Sequence, residues 1–388
     1  MKKSLFLIPL VLLSVCACTP KGHQSNTEIP DSSSEPLNPD DFTFGTYSNP
    51  VPVFSGTTKY TGQVADPTVV RGDDGKLYCV STGGLMLESD DGCEWHVLTN
   101  SVIPHPTWAD NYYEGKIPGF WAPDLVKIGN KWMLYYSLSI WGGACGIGYA
   151  TADNIRGPYT DQGKLFDSGE VSSRDNIGVN NSIDPQVFVD DDGSVYMVFG
   201  SFRGLYLIQL TDDGTACYQG IEYQREHKTL IAGQPTAWNG AQYEGSYIFK
   251  KDGWYYYMGS TGSCCEGANS TYNVRVARSK DIKGPYKDSE GMDIKMSSGT
   301  TTYGDIVVYS KASNTEVKGP GHNSILVDDA GQYWIYAHAY LQSDGYGTRH
   351  LMMDKLEWSK DGMPHVHGMS FSLDEELDGP WFSIKDAE

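Results

Sequence analysis

The chain has 388 residues, with 29 Lys and Arg against 49 Asp and Glu and a formal net charge of -20. Nucleic acid and anionic membrane surfaces are poor partners for such a field. Only 20% of residues are charged, while 26 Tyr, 10 Trp and 44 Gly favour strands and tight turns and exclude a coiled coil or a disordered acidic chain.

Met1, Lys2 and Lys3 are followed by an apolar run from Leu5 to Val15 and then by Val15-Cys16-Ala17-Cys18. A basic start, a short apolar stretch and a small residue at the cut read as an export signal over residues 1–17, too short to span a bilayer. The last four of these residues resemble a bacterial lipobox, which implies lipidation of Cys18 and a place in the cell envelope, on the surface or periplasmic face of the outer membrane. Residues 18–41, rich in Ser, Pro, Asn and Asp, then read as a flexible tether, leaving 42–388 as the folded domain. Six cysteines remain: Cys79, Cys93, Cys145, Cys217, Cys264 and Cys265. A disulfide such as Cys79 to Cys93 and buried free thiols are both open, and no pair of CxxC units marks a zinc site.

Downstream, one phrase recurs five times: Asp66 to Ser81, Ala122 to Ser137, Asp184 to Ser201, Glu244 to Ser260 and His322 to Ala339. Each reads as a hairpin, with a β-branched or aromatic run, a polar turn such as Asp191-Asp192-Gly193, and a Tyr-rich return. A second, less regular pair of strands follows each phrase: Gly84 to Leu98, Gly146 to Tyr159, Gly204 to Tyr218, Asn273 to Tyr286 and His350 to Val366. Four strands in each of five units predict an all-β fold, a five-bladed β-propeller. The long fourth interval, including Ser297 to Ser313, is expected to be an insertion or extended loop.

The innermost strand of each propeller blade lines the central channel, so the residues opening the five phrases are expected at its mouth. These are Asp66, Ala122, Asp184, Glu244 and His322. Three carboxylates on one axis suit glycoside hydrolysis, in which one carboxyl protonates the leaving oxygen while another activates water or attacks the sugar. A third carboxylate beside the acid raises its pKa and orients it. Trp121, Trp141, Trp254 and Tyr243 lie close in sequence to these openings, to stack on sugar faces or to pack between blades. Asp190-Asp191-Asp192-Gly193 lacks the ligand pattern of an EF-hand and reads as a turn, and no Walker loop, GxSxG or HExxH is present.

Several phrases carry a family resemblance: Phe120-Trp121-Ala122-Pro123-Asp124, Gly146-Ile147-Gly148-Tyr149-Ala150, Asn181-Ser182-Ile183-Asp184-Pro185, Cys264-Cys265-Glu266-Gly267 through Ser270-Thr271-Tyr272, and Gly319-Pro320-Gly321-His322-Asn323-Ser324. In this order the chain resembles glycoside hydrolase family 43, most closely its endo-acting α-1,5-L-arabinanases. The resemblance implies Asp66 as general base, Glu244 as general acid and Asp184 as the carboxylate tuning that acid. It also implies inversion, with base and acid about 6.5–9.5 Å apart. His322 corresponds to a histidine holding calcium on the axis, with water supplying most of the shell because calcium takes six to eight ligands. Trp121 and Asn181 are the substrate-contact candidates. Ala65 before the base, Gly245-Ser246 after the acid and Glu266 after the Cys pair depart from the usual pattern and leave subsite detail open.

The expected activity is therefore endo-hydrolysis of arabinan by a lipid-anchored monomer with no organic cofactor. Exo-α-L-arabinofuranosidase or β-xylosidase action on the same scaffold is the near alternative. A non-catalytic glycan-binding lipoprotein is the alternative from another class; it would need the aromatics but not the three acids.

Overall fold

The computed structural model describes residues 38–383 apart from 114–115, 141–142, 169–173, 236–242, 299–300, 314 and 375. The expected signal segment, Cys18, nearly all of the tether and Trp141 lie outside the described residues.

The alternation of apolar runs and glycine turns produces five antiparallel four-stranded meanders. Blade 1 comprises Thr68–Arg71, Leu77–Val80, Met86–Ser89 and Trp95–Thr99. Blade 2 comprises Gly119–Ile128, Lys131–Ser139, Cys145–Ala152 and Thr160–Asp167, and blade 3 Gln186–Val189, Val195–Phe199, Leu205–Gln209 and Thr229–Ala232. Blade 4 comprises Glu244–Lys251, Trp254–Thr261, Asn273–Ser279 and Asp305–Tyr309, and blade 5 Val317–Val327, Tyr333–Leu341, Arg349–Trp358 and Pro364–Val366. Gly75, Gly129, Gly193, Gly253 and Gly331 in the five inner hairpin turns all take positive φ, which glycine adopts without steric cost.

Five hydrophobic clusters fill five seams between neighbouring blades. The cluster joining the first and last blades brings Leu77, Leu87 and Trp95 against Leu326, Trp334 and Tyr336, and so closes the ring. Each of these large side chains contributes about 1.5–3 kcal/mol by leaving water.

A second ring, of polar contacts, runs along the inner strands. Thr68 donates to Asp124 Oδ1, Val187 N–H to Asp124 Oδ2, Ile248 N–H to Gln186 Oε1, Tyr247 hydroxyl to the Ile325 carbonyl, and Val69 N–H to Ser324 Oγ. Thr68, Asp124, Gln186, Tyr247 and Ser324 are thus equivalent across the five blades. Two residues before each of them the chain takes a left-handed bend: φ is +55° at Asp66, +42° at Ala122, +55° at Asp184, +56° at Gly245 and +51° at His322. In blades 2, 4 and 5 the pairing of the first two strands shifts register there, a bulge that re-aims a side chain. The equivalent of Asp66 and Asp184 is therefore Gly245, and Glu244 sits one residue earlier than the sequence phrase implies.

Three further expectations are corrected, the first being that the fourth strand of blade 2 is Thr160–Asp167 and lies beyond the expected Gly146 to Tyr159. The fourth strand of blade 3 is Thr229–Ala232, reached through the helix Ile221–His227, and does not lie within Gly204 to Tyr218. The fourth strand of blade 4 is Asp305–Tyr309, not a segment before Tyr286, so the stretch Ser297 to Ser313 belongs partly to the blade. Cys79 and Cys93 are buried free thiols in the seam between blades 5 and 1.

Candidate active site

The left-handed bends set the site. At four joints the bent residue's N–H is gripped by a side chain ending the second strand of the preceding blade: Ala122 by Thr82 Oγ1 (2.9 Å), Asp184 by Ser137 Oγ (2.9 Å), His322 by Ser260 Oγ (2.8 Å) and Asp66 by His338 Nδ1 (3.1 Å). At the fifth joint the pattern changes: Ser201 Oγ donates to Glu244 Oε2 at 2.8 Å, and Gly245 N–H donates to Asp184 Oδ2 at 3.2 Å. A Cβ on Gly245 would stand 2.9 Å from the His322 ring, so position 245 needs glycine for space as well as for φ.

Asp66 lies among cationic and hydroxyl groups. Thr82 donates to its Oδ2, while its Oδ1 is 3.2 Å from His338 Nδ1, 3.3 Å from His322 Nδ1 and 3.6 Å from an Arg349 Nη. Burial alone would raise this carboxyl, yet His322 and Arg349 outweigh burial and hold it well below the usual carboxylate range. Burial pushes both imidazoles down, His338 to about 4, so at neutral pH the lasting positive charge beside Asp66 is Arg349.

Asp184 and Glu244 move the other way. Burial raises both; repulsion by Glu244 and Asp66 adds to the rise of Asp184, and repulsion by Asp66 to that of Glu244. Ser201, Tyr272 and Cys264 reach the Glu244 carboxyl and offset part of its rise. One channel thus holds a carboxyl shifted towards its ionised form and two shifted towards their protonated forms, the opposition that acid–base chemistry uses.

Of the sequence-predicted residues, Asp66, Asp184, Glu244 and His322 come together. Asn181 joins them indirectly: its amide donates to the Ser201 carbonyl at 2.8 Å, and Ser201 in turn bonds Glu244. Trp121 is half-buried on the inner strand of blade 2, opposite Ser137. Tyr243 is 1% exposed and packs between blades 3 and 4, and Trp254 lies beneath Arg278 and Lys280, so both are packing residues. Sequence reasoning did not assign Thr82, Ser201, Tyr272, His338 or Arg349. Thr82, Ser201 and His338 share the end of the second strand, a position legible in the repeat, whereas Arg349 has no local signal. Among the described residues, no group of three His, Cys, Asp or Glu is disposed to hold a metal ion.

The profile of glycosyl hydrolases family 43 matches residues 60–364. The chain is 32% identical over 314 residues to an extracellular exo-α-(1→5)-L-arabinofuranosidase of Cellvibrio japonicus, covering 78% of this chain and 86% of that protein. It is 33% identical over 303 residues to extracellular endo-α-(1→5)-L-arabinanase 1 of Bacillus subtilis, covering 76% and 85%. An α-L-arabinanase of Cellvibrio cellulosa, solved with arabinohexaose, superposes with a TM-score of 0.67 at 31% identity, covering 78% of this chain and 95% of that one. The endo-arabinanase of Bacillus licheniformis gives 0.65 at 30%, covering 80% and 99%. With that profile spanning the blades and the carboxylate cluster at their centre, the chain belongs to glycosyl hydrolase family 43 and is a glycoside hydrolase.

Proposed function

We propose that the protein cleaves internal α-1,5-linked L-arabinofuranosyl bonds of arabinan by single displacement with inversion. The observation that carries this is the cluster of three carboxylates whose surroundings shift them in opposite directions, Asp66 downwards beside His322, His338 and Arg349, and Asp184 and Glu244 upwards by burial. Asp66 takes a proton from the attacking water, Glu244 delivers one to the departing sugar oxygen, and Asp184 keeps Glu244 protonated until then. Trp121 and Asn181 line the approach as substrate contacts.

The arabinan-directed relatives of both endo and exo type support the substrate class. Two features of the insertion favour chain entry over a blocked end. Asp305–Tyr309 is spent as an outer strand, and Ser297 and Tyr303 are tied to the buried Tyr243 hydroxyl. Incubation with debranched arabinan, with products resolved over time, tests the reading. A ladder of short oligosaccharides is expected; free arabinose alone would make the enzyme exo-acting. Binding without release from arabinan, xylo-oligosaccharides or aryl glycosides would leave a glycan-binding protein.

His322 is the residue for an axial calcium. Its Nδ1 faces Asp66 at 3.3 Å, and burial keeps the ring neutral, which leaves Nε2 with a lone pair for a cation. On this reading His322 Nε2 is the protein donor and water completes the shell. A cation there would add positive charge on the Asp66 side of the channel. Chelation is expected to lower Tm and activity, with recovery on adding calcium; unchanged Tm in a metal-free sample would refute it.

We also propose that Cys18 carries the lipid that tethers a monomeric catalytic domain to the envelope, where the extracellular labels of the relatives fit an exported enzyme. The mass of the mature N-terminal peptide tests this. No helix among the described residues is long and apolar enough to cross a membrane.

A further inference from the structure

Four second-strand residues grip the next blade's bent N–H, and three of them are hydroxyls, Thr82, Ser137 and Ser260. The fourth is His338, a larger side chain that is 1% exposed. Its Nδ1 faces both the Asp66 N–H at 3.1 Å and Asp66 Oδ1 at 3.2 Å, while its buried Nε2 has no hydrogen-bond partner among the described residues. A serine would satisfy the backbone without burying an unpaired polar atom. Besides its contacts to Asp66 the imidazole presents a flat face that a hydroxyl lacks, and that face is in use: it lies parallel to the Tyr272 ring, with centroids 5.8 Å apart and planes 14° apart. Tyr272 is itself buried, and its hydroxyl reaches the Glu244 carboxyl.

Gly321 makes the stack possible. It pairs with His338 across the strands of blade 5, and a Cβ there would come within 2.0 Å of the Tyr272 ring. Tyr272 therefore lies over a bare backbone beside His338, clamped from below by Gly321 and from the side by the imidazole.

We propose that Tyr272 and His338 are a positioning pair, a stacked spacer across the seam of blades 4 and 5 that sets the separation between the Asp66 and Glu244 carboxyls. The inference rests on the base and acid assignment above. His338 fixes the Asp66 end through the backbone N–H, Tyr272 fixes the Glu244 end through its hydroxyl, and ring contact transmits one position to the other. Single displacement needs that gap held to a fraction of an ångström, because water must fit between base and anomeric carbon.

Three variants separate this from general packing. His338→Ser keeps the backbone clasp in the form the other joints use but removes the ring; Tyr272→Phe keeps the ring but removes the hydroxyl; Gly321→Ala displaces Tyr272. Each is assayed on debranched arabinan, whose leaving sugar needs a proton, and on a 4-nitrophenyl arabino-oligoside, whose leaving group needs little. His338→Ser and Gly321→Ala are expected to lower kcat on the order of 10²-fold on both substrates with KM little changed. Tyr272→Phe should lower kcat on arabinan about tenfold and leave the aryl substrate nearly untouched. Equal losses on both substrates for Tyr272→Phe, or kcat retained in His338→Ser, would overturn the pair. A crystal structure of His338→Ser supplies a readout independent of substrate. A change of about 0.5 Å or more in the Asp66–Glu244 carboxyl separation is expected, and an unchanged separation overturns the spacer whatever glycoside the enzyme cleaves.

Discussion

Asp66 and Glu244 are both deeply placed, yet they shift in opposite directions: His322 and Arg349 beside Asp66 hold it down, while burial, helped by the Asp66 charge, pushes Glu244 up. Replacing Glu244 by Gln preserves shape and removes the transferable proton. Glu244→Gln is expected to lower kcat by about 10²–10⁴-fold while arabino-oligosaccharide affinity, measured by calorimetry, stays within a few-fold. Arg349→Gln removes the permanent charge 3.6 Å from Oδ1 and lets the Asp66 pKa rise. The base must be ionised to work, so the acid limb of the kcat/KM profile is expected to move to higher pH, with activity above that limb much less affected. An unmoved acid limb would show that Arg349 does not hold the base.

The inner strands carry their own titration. Asp124 is 5% exposed, receives Thr68 from blade 1 and Val187 N–H from blade 3, and burial raises its carboxyl to about 7. Its unfolded-state pKa is about 3.9, so its contribution to stability is fully present below about pH 4 and is lost as pH rises through about 7. Asp124→Asn keeps an acceptor for Val187 and cannot ionise. Its Tm is expected to fall less than that of the parent between pH 5 and pH 8 and to match or exceed the parent at pH 8, read from thermal melts across that range. The inner hairpins were legible in the sequence because each carries the same run, glycine turn and Tyr-rich return. The outer strands Thr160–Asp167, Thr229–Ala232 and Asp305–Tyr309 were not, because residues 153–159, 210–228 and 280–304 intervene and edge strands carry little pattern. Asp66, Asp184 and His322, which open their phrases, share the left-handed bend. Glu244 slipped by one because φ, which sets Gly245 and not Glu244 at the bend, is not written in the aligned phrases; His338 occupies a position the repeat marks, whereas Arg349 acts through tertiary contacts that no local phrase encodes.

At the scale of the molecule, the segment after residue 46 straps the first blade to the last. Phe54 pairs with His96 of blade 1, while Asn49 exchanges hydrogen bonds with Met353 of blade 5 and also donates to the Ser372 carbonyl at 2.9 Å. Tyr47 donates to Asp354 at 2.6 Å, and Val64 N–H to the Arg349 carbonyl at 2.9 Å. Asn49→Ala would leave Met353 N–H and two carbonyls buried without their partner, at about 1–3 kcal/mol for each orphaned group that finds no substitute. A lowered Tm is expected with kcat near the parent value at low temperature, because no site residue is touched. A melt indistinguishable from the parent would mean that the strap does not hold the seam.

That seam also bears on the order of synthesis. Asp66 is among the first folded residues to be made, while His322, His338 and Arg349, which complete its surroundings, are among the last. A ribosome-bound chain with four blades finished therefore carries a base without the groups that ionise and orient it. Its chemistry is withheld until the fifth blade docks on the first. With Asp66 as the proposed base, competence to cut sugar chains would thus mark a complete molecule, and a product truncated before residue 349 is expected to be inactive.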